Sequence, residues 1–171
     1  MSVYGMETGV ITKDTVPSPK SNYGKSKLQA EQGLSQLADD HFKVVILRPP
    51  MVFGAGCKGN YQTIAKIVDK LPVFPKVKNQ RSLIYIDNLC SFVKMAIDQK
   101  LSGLYFPDNA HRVDTFSMAK AIADAKGKKI WFSSLLGVCA KVAGIFMPMA
   151  RKAFGSLIYS GTEDFSYSYC I

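Results

Sequence analysis

Tyr23 and Lys27 stand four residues apart in the segment Ser21-Asn22-Tyr23-Gly24-Lys25-Ser26-Lys27. On a helix that spacing puts both side chains on one face, a turn from each other. A phenol beside an ammonium gives up its proton more readily, because the cation stabilises the phenolate over the neutral form. Such a pair can exchange a proton with an alcohol near neutral pH, which is the acid/base work required when hydride leaves the alcohol's carbon. The pair alone has low specificity, since Y-x-x-x-K arises by chance in a Lys-rich chain of this size. Arg81 is a second candidate: its planar fork suits a phosphate or, equally, an ion pair with Asp87. Asn60 stands where a helix is predicted to start and can simply cap it, and Phe74 can simply pack a loop.

Several elements must position these groups. Val3-Tyr4 reads as the end of a strand, followed by a loop with Gly5, Gly9, Pro17 and Pro19 as breakers. Ser21 or Asn22 can cap a helix to about Asp39, with Leu28, Ala30, Leu34, Leu37 and Ala38 at near-helical spacing. Lys43 to Leu47 is a short β-branched run of the kind expected of a strand buried on both faces, ended by Arg48-Pro49-Pro50. A Gly-rich loop from Gly54 to Gly59 leads to a helix over Asn60–Lys70, and Pro72 and Pro75 mark another loop. Leu83–Ile86 and Gly103–Phe106 read as strands. Between them Asp87 caps a helix to about Asp98. Thr115 caps a helix to about Ala125, closed by Gly127. Lys129–Phe132 is a further strand candidate, and the remainder is helical and then irregular. Alternating strands and helices argue an α/β sheet with helices packed on it. The Gly54-Ala55-Gly56-Cys57-Lys58-Gly59 run follows two prolines and lacks an acidic partner about twenty residues on, so it reads as a loop rather than a dinucleotide fingerprint.

The 171 residues suffice for one domain with a core, and 47% apolar against 20% charged residues is ordinary for a globular protein. The formal net charge of +9 comes from scattered basic residues, among them Lys25, Lys27, Lys43, Lys66, Lys70, Lys76, Lys78 and Arg81, without a basic run, which reads as a solvated surface rather than a nucleic-acid site. Cys57, Cys90, Cys139 and Cys170 form no C-x-x-C pair and read as free thiols of a reducing cytoplasm. His41 and His111 are far apart, so no metal site is expected. The opening residues do not read as a signal peptide. Ile130–Met149 is nearly long enough to span a bilayer, but Lys141 sits in its middle and Gly137, Gly144 and Pro148 interrupt it. A buried or partly surface-lying helix is the better reading, without stable membrane insertion.

Three segments taken together are far more specific than the pair. Val3-Tyr4-Gly5 with Pro19-x-x-x-Tyr23-Gly24-Lys25-Ser26-Lys27-x-x-x-Glu31, then Arg48-Pro49-Pro50-Met51-Val52-Phe53-Gly54, then Asn79 to Leu89, resemble in order and separation the landmarks of the extended short-chain dehydrogenases. More narrowly, they resemble the NAD-dependent epimerase/dehydratase family. The resemblance covers Met1 to about Val93 and, more weakly, the remainder. It implies a single α/β fragment, the C-terminal part of an extended Rossmann-type fold whose N-terminal dinucleotide-binding half is missing. About 1–53 would be the remaining strands and helix of the Rossmann core, and about 54–171 mainly the substrate-binding part.

The resemblance also implies roles. Tyr23 matches the catalytic tyrosine, and Lys27 the lysine that favours its phenolate and bonds the nicotinamide ribose. Pro49 and Pro50 match the segment closing over the nicotinamide. Met51 falls where UDP-galactose 4-epimerases carry an asparagine on the substrate. Asn60 and Tyr61 match a helix start whose amides meet the substrate phosphates, as a helix N-terminus favours. Val73 and Phe74 match the segment against the uracil, and Arg81 the arginine on the pyrophosphate. The position of the family's catalytic serine or threonine falls just before Met1. Ser2 would lie on the same strand face, one pleat repeat (about 6–7 Å) further along, within reach of substrate but misplaced for catalysis.

The implied activity is NAD-dependent 4-epimerisation of a UDP-sugar, UDP-glucose/UDP-galactose or an N-acetylhexosamine, as in cell-surface polysaccharide synthesis. A nucleotide-linked 4-keto-sugar reductase would use the same Tyr23 and Lys27. A dehydratase would want an Asp-Glu pair that Met1-Ser2 does not supply. Lacking the Gly-rich half, this chain by itself is not expected to hold NAD well. An inactive substrate-binding remnant or interaction fragment is the alternative of another class. A UDP-sugar is the expected partner, with no nucleic acid, and a homodimer is compatible with the reading.

Overall fold

The computed structural model describes residues 1–57, 60–161 and 166–167. The Gly59 end of the predicted loop, Cys170 and the terminal Tyr169-Cys170-Ile171 lie outside them. Among the described residues ten short strands and six α-helices follow one another. The strands are β1 (Gly9–Ile11), β2 (Val45–Leu47), β3 (Met51–Phe53), β4 (Val73–Pro75), β5 (Leu83–Tyr85), β6 (Gly103–Tyr105), β7 (Asp108–Asn109), β8 (Trp131–Ser133), β9 (Leu157–Tyr159) and β10 (Ser166–Tyr167). The helices are α1 (Asn22–Gln36), α2 (Asn60–Lys70), α3 (Ile86–Asp98), α4 (Thr115–Ala125), α5 (Ser134–Phe146) and α6 (Pro148–Phe154). Among the described residues every strand pairs in parallel: β1 with β9, β2 with β6, β3 with β5, β4 with β8 and β7 with β10. Parallel pairing demands long crossovers, which the helices supply. The α/β class expected from the alternation is the class observed.

Two apolar clusters hold the elements together. Ile64 and Val68 of α2 meet Phe74, Leu83 and the α4 residues Met118, Ala119, Ile122 and Ala123. Val3, Tyr4, Ile11, Phe106, Leu157 and Tyr159 form the second. It joins the start of the chain to residues more than a hundred positions on, and the tyrosine at its edge keeps a polar contact: Tyr159 Oη donates to the Arg48 carbonyl at 2.8 Å. Burial pushes the Tyr159 phenol far up from its ordinary range.

Several expectations need correction. Val3-Tyr4 lies in a single 3-10 turn over Ser2–Tyr4, closed by Gly5 at φ 61°, and no strand pairs with it among the described residues. Ser2 is therefore not on a strand face. The helix after Ser21 ends at Gln36, and β2 is only half-buried on both faces, not fully covered. Asp87 is not a cap: the helix starts at Ile86 after Tyr85, which gives no side-chain cap bond, and Asp87 sits in the first turn. Asp114, not Thr115, caps α4, its carboxylate accepting from Ser117 N at 2.5 Å. The last predicted strand lies at Trp131–Ser133, and the region after α6 contains β9 rather than irregular chain. The strands β1, β4, β9 and β10 lie where loop or irregular chain was expected, and β3 and β7 in segments assigned no element. Each is three residues or fewer, too short to show a period of its own.

Asp108 is a half-buried acid on β7. Burial raises its carboxyl to about 6, although the Ser82 hydroxyl, the Asn109 amide and Arg112 all favour the charged form. A carboxyl with a folded pKa above its unfolded value binds more protons in the native state. Its contribution to stability is therefore full below the unfolded value of about 4 and is lost as pH rises toward 6. The stability difference between wild type and Asp108→Asn, from urea unfolding, should shift against wild type by about 2–3 kcal/mol between those pH values. A pH-independent difference would show that Asp108 ionises normally.

Candidate functional site

The site is built around the start of α1. Ser21 has extended backbone and its hydroxyl accepts from Gly24 N at 3.1 Å, so the helix begins at Asn22 and Tyr23 stands in its first turn. Gly24 is buried there because the 3-10 turn crosses it: a Cβ at this position would lie 2.5 Å from the Ser2 carbonyl oxygen. The turn thus sets one residue of backbone against the helix directly beside Tyr23. Lys27 follows one turn on, and its ammonium lies over the Tyr23 ring, 5.6 Å from the centroid, within cation–π range. Tyr23 is 64% exposed and Lys27 is exposed, so this pair faces outward and is open to a ligand.

What anchors α1 is an ion pair that the sequence reading passed over. Arg48 leaves β2 with its amide bonded to the Tyr105 carbonyl. Its Nε and Nη2 both donate to Glu31 Oε2, at 3.1 and 2.7 Å, and its Nη1 donates to Tyr4 Oη at 2.8 Å. The side chains are only 11% and 16% exposed. Burial alone would lower the Arg48 pKa, but the bonds to Glu31 and Tyr4 outweigh it and hold the guanidinium more firmly charged than usual. A signal was available: Glu31 lies eight residues after Tyr23, on the helix whose first turn holds the pair, and Arg48 directly precedes two prolines. The Tyr4 phenol is pushed up by burial, against the pull of Arg48.

The prolines that follow lead from this group to a second one. Pro49 is half-buried and Pro50 buried. The Pro49 carbonyl accepts from the Met1 amino group at 3.4 Å and from Tyr159 Oη at 3.5 Å. Met51 then pairs with Leu83 across the β3–β5 ladder. Met51 and Tyr61 pack against the cluster that contains Phe74, and the Tyr61 ring centroid lies 6.3 Å from that of Phe53. Asn60 is the first residue of α2, so the helix N-terminus lies there. Val73 pairs with Trp131 and is half-buried, whereas the Phe74 ring is enclosed in the core between Phe132 and Phe154, edge-on to both with centroids 6.3 Å away. Of the substrate-side candidates the fold therefore gathers Met51, Tyr61, Phe74 and, two residues before Leu83, Arg81. Ser2 belongs instead with Tyr23.

Arg81 is 7% exposed, and burial lowers its pKa from the ordinary range. Its backbone is bonded on both sides. Arg81 N donates to the Val113 carbonyl at 3.0 Å and the Arg81 carbonyl accepts from Val113 N in return, while Leu157 N of β9 donates to the Gln80 carbonyl and Ser82 N to the Leu157 carbonyl. Next to it the buried Asn79 side chain receives Thr115 N at 2.8 Å and donates to Thr115 Oγ1 and the Gly155 carbonyl. This network also escaped sequence reading, because its members are dozens of residues apart. An open recess of about 720 Å³ lies elsewhere, between β2 and α3, lined by Val45, Leu47, Val93 and Ile97. It contains none of the candidate residues.

The fold and site define a parallel-stranded α/β protein with a Tyr-x-x-x-Lys helix, the arrangement of short-chain dehydrogenases. The NAD dependent epimerase/dehydratase family model matches residues 1–105, and the chain belongs to that family. It is 34% identical over 133 residues to a UDP-glucose 4-epimerase of Vibrio cholerae, covering 74% of this chain and 40% of that protein. It is 28% identical over 108 residues to an N-acetyl-alpha-D-glucosaminyl-diphospho-ditrans,octacis-undecaprenol 4-epimerase of Escherichia coli O157:H7, covering 60% and 33%. The solved UDP-glucuronic acid 4-epimerase of Bacillus cereus shares the fold, with a TM-score of 0.68 at 18% identity over 99% of this chain and 54% of that one. The chain thus spans less than half the length of these curated relatives.

Two substitutions test the anchoring of the site. Glu31→Ala leaves Arg48 nearly buried without its anion and should cost about 3 kcal/mol in urea unfolding; a change within about 0.5 kcal/mol would make the pair a surface one. Gly24→Ala must push the helix start off the Ser2 carbonyl. It should cost about 1–3 kcal/mol, and a variant as stable as wild type would show that the turn does not press on α1.

Proposed function

We propose that this chain carries the proton-transfer and substrate-binding side of an NAD-dependent sugar-nucleotide 4-epimerase acting on a UDP-linked hexose. The observation that carries the reading is the Lys27 ammonium over the exposed Tyr23 ring, at a helix start fixed by Gly24 and by the Arg48–Glu31 pair. Tyr23 takes the proton of the sugar 4-hydroxyl and returns it after the 4-keto sugar has turned over. Lys27 stabilises the phenolate and meets the nicotinamide ribose, and Pro49 and Pro50 close over the ring. Ser2, Met51, Asn60, Tyr61, Val73 and Phe74 line the sugar nucleotide, Phe74 through its backbone since its ring is in the core. Arg81 holds the pyrophosphate, a site where burial strengthens its hold on an anion.

NAD supplies the hydride acceptor when bound. The residues present fit one side of it, since Tyr23, Lys27, Pro49 and Pro50 are the nicotinamide-ribose side, and no Gly-rich strand–turn–helix for the phosphates occurs in this sequence. The relatives named as 4-epimerases support epimerisation over 4-keto-sugar reduction. A cytoplasmic setting, a homodimer and a place in polysaccharide synthesis belong to the same reading.

Calorimetric titration with UDP tests it. Binding should be weakened roughly tenfold or more by Arg81→Ala, and less by Arg81→Lys. Thermal unfolding of both variants separates lost contact from lost fold. Tyr23→Phe, at an exposed position, should leave UDP binding unchanged and lower interconversion of UDP-galactose with NAD by about a hundredfold or more. Reduction of a UDP-4-keto sugar without that interconversion would assign a reductase. UDP binding with no turnover would assign a substrate-binding remnant, and absence of UDP binding sinks the reading.

A further inference from the structure

Helix α5 is built the wrong way round for a helix facing water. The side it turns to the protein is made of small residues: Gly137 is buried against the Lys76 carbonyl, and Ala140, Ala143 and Gly144 are half-buried. Its large apolar residues point the other way. Leu135 is 75% exposed, Val138 60%, Val142 50%, Ile145 66% and Phe146 79%. Their spacing puts them in one row along the outer side of the helix. The other core helices show the usual order, with Ile64 and Val68 of α2 and Met118 and Ile122 of α4 buried. A contiguous outward apolar row of this kind marks a contact surface.

Charge selects what covers it. Over α5 and α6 the sequence has Lys141, Arg151 and Lys152 and no Asp or Glu. Lys141 is exposed on α5 itself, Lys129 is exposed just before β8, and Arg151 is exposed while its guanidinium donates to the Gly144 and Ile145 carbonyls at the end of α5. Pairing of this face with a second copy would set Lys141 and its neighbours against like charge. An anionic bilayer surface meets both features, taking the apolar row between its headgroups and the cations at them. The helix has 13 residues, Pro148 follows it, and no helix among the described residues is long and apolar enough to cross a membrane. It would lie along the interface.

We propose that the outer face of α5, with Lys141 on its flank and Arg151 at its C-terminal end, docks this protein on an anionic lipid surface. This surface is independent of the Tyr23 site and of the activity proposed for it. The test is co-sedimentation of the 171-residue chain with vesicles of equimolar phosphatidylglycerol and phosphatidylcholine, against vesicles of phosphatidylcholine alone. A second readout is an environment-sensitive fluorophore on Cys139, exposed on the same side of α5, with Cys57, Cys90 and Cys170 replaced by serine.

The expected result is pelleting with the anionic vesicles, a blue shift of the Cys139 label, and partition roughly tenfold or more weaker in I145D/F146D. Both of those positions are exposed, so the variant should unfold thermally as wild type does. Absence of pelleting overturns the proposal, and so does pelleting that I145D/F146D leaves unchanged, which would assign it to the basic surface at large. A label shift that follows protein concentration without vesicles, with a dimer that I145D/F146D dissociates, would give the face to a second copy. The same shift produced by polyglutamate in place of vesicles would give it to an acidic protein. Either result overturns the lipid assignment.

Discussion

The ion pair of Arg48 with Glu31 is the contact on which the placement of Tyr23 depends. It sits where three parts of the chain meet: the exit of β2, the middle of α1 and the Ser2–Tyr4 turn. Two of the guanidinium's nitrogens reach one carboxylate oxygen while a third bonds Tyr4. A lysine could not make that fork. Because the pair is nearly dry, it tolerates no vacancy on either side. The prolines after Arg48 offer no backbone donors, so the segment leaving the pair presents carbonyls, and Tyr159 and Met1 bond to them. Helix α1 and the Pro49-Pro50 segment are thereby fixed to each other by polar contacts, beside the packing of Leu28 on the second apolar cluster.

The Arg81 region is held differently. Arg81 sits in a segment whose backbone is bonded to Val113 on one side and to Leu157 on the other, beside the closed Asn79–Thr115–Gly155 network. Burying an arginine is costly unless an anion or a set of acceptors meets it. A segment tied down this firmly is suited to holding such a side chain ready rather than assembling it on binding. The two regions communicate through continuous chain, since Met51 follows Pro50 and pairs beside Leu83.

The helices divide by what they pack against. α2 and α4 bring branched and long apolar side chains to one cluster, whereas α5 and α6 meet over glycine and alanine. Close approach of two backbones needs small residues at the contact. The consequence is that the bulky side chains of α5 have nowhere to go but outward. The same sequence feature that lets α5 sit tightly on the fold therefore leaves an apolar surface outside it.

Much of this was legible in the chain itself. Asn60–Lys70 and Thr115–Ala125 are read from apolar spacing and bounding residues because these helices bury one face in a local, periodic way. The Tyr23–Lys27 neighbourhood follows from helical geometry alone, since four residues on a helix bring two side chains together whatever surrounds them. Residues 43–47 were legible as a strand but not its half-covered state, which depends on what lies beside it. The strands β1, β3, β4, β7 and β9 exist because a distant segment pairs with them, and three residues carry no period that reports it. Likewise Arg48 finding Glu31, Tyr159 reaching the Arg48 carbonyl, and Phe74 turning its ring into the core are events of long-range folding. Sequence determined the chemistry available and the local helices that present it; tertiary structure decided which groups are buried, paired or left facing outward, because those are set by desolvation and contact between residues far apart in the chain.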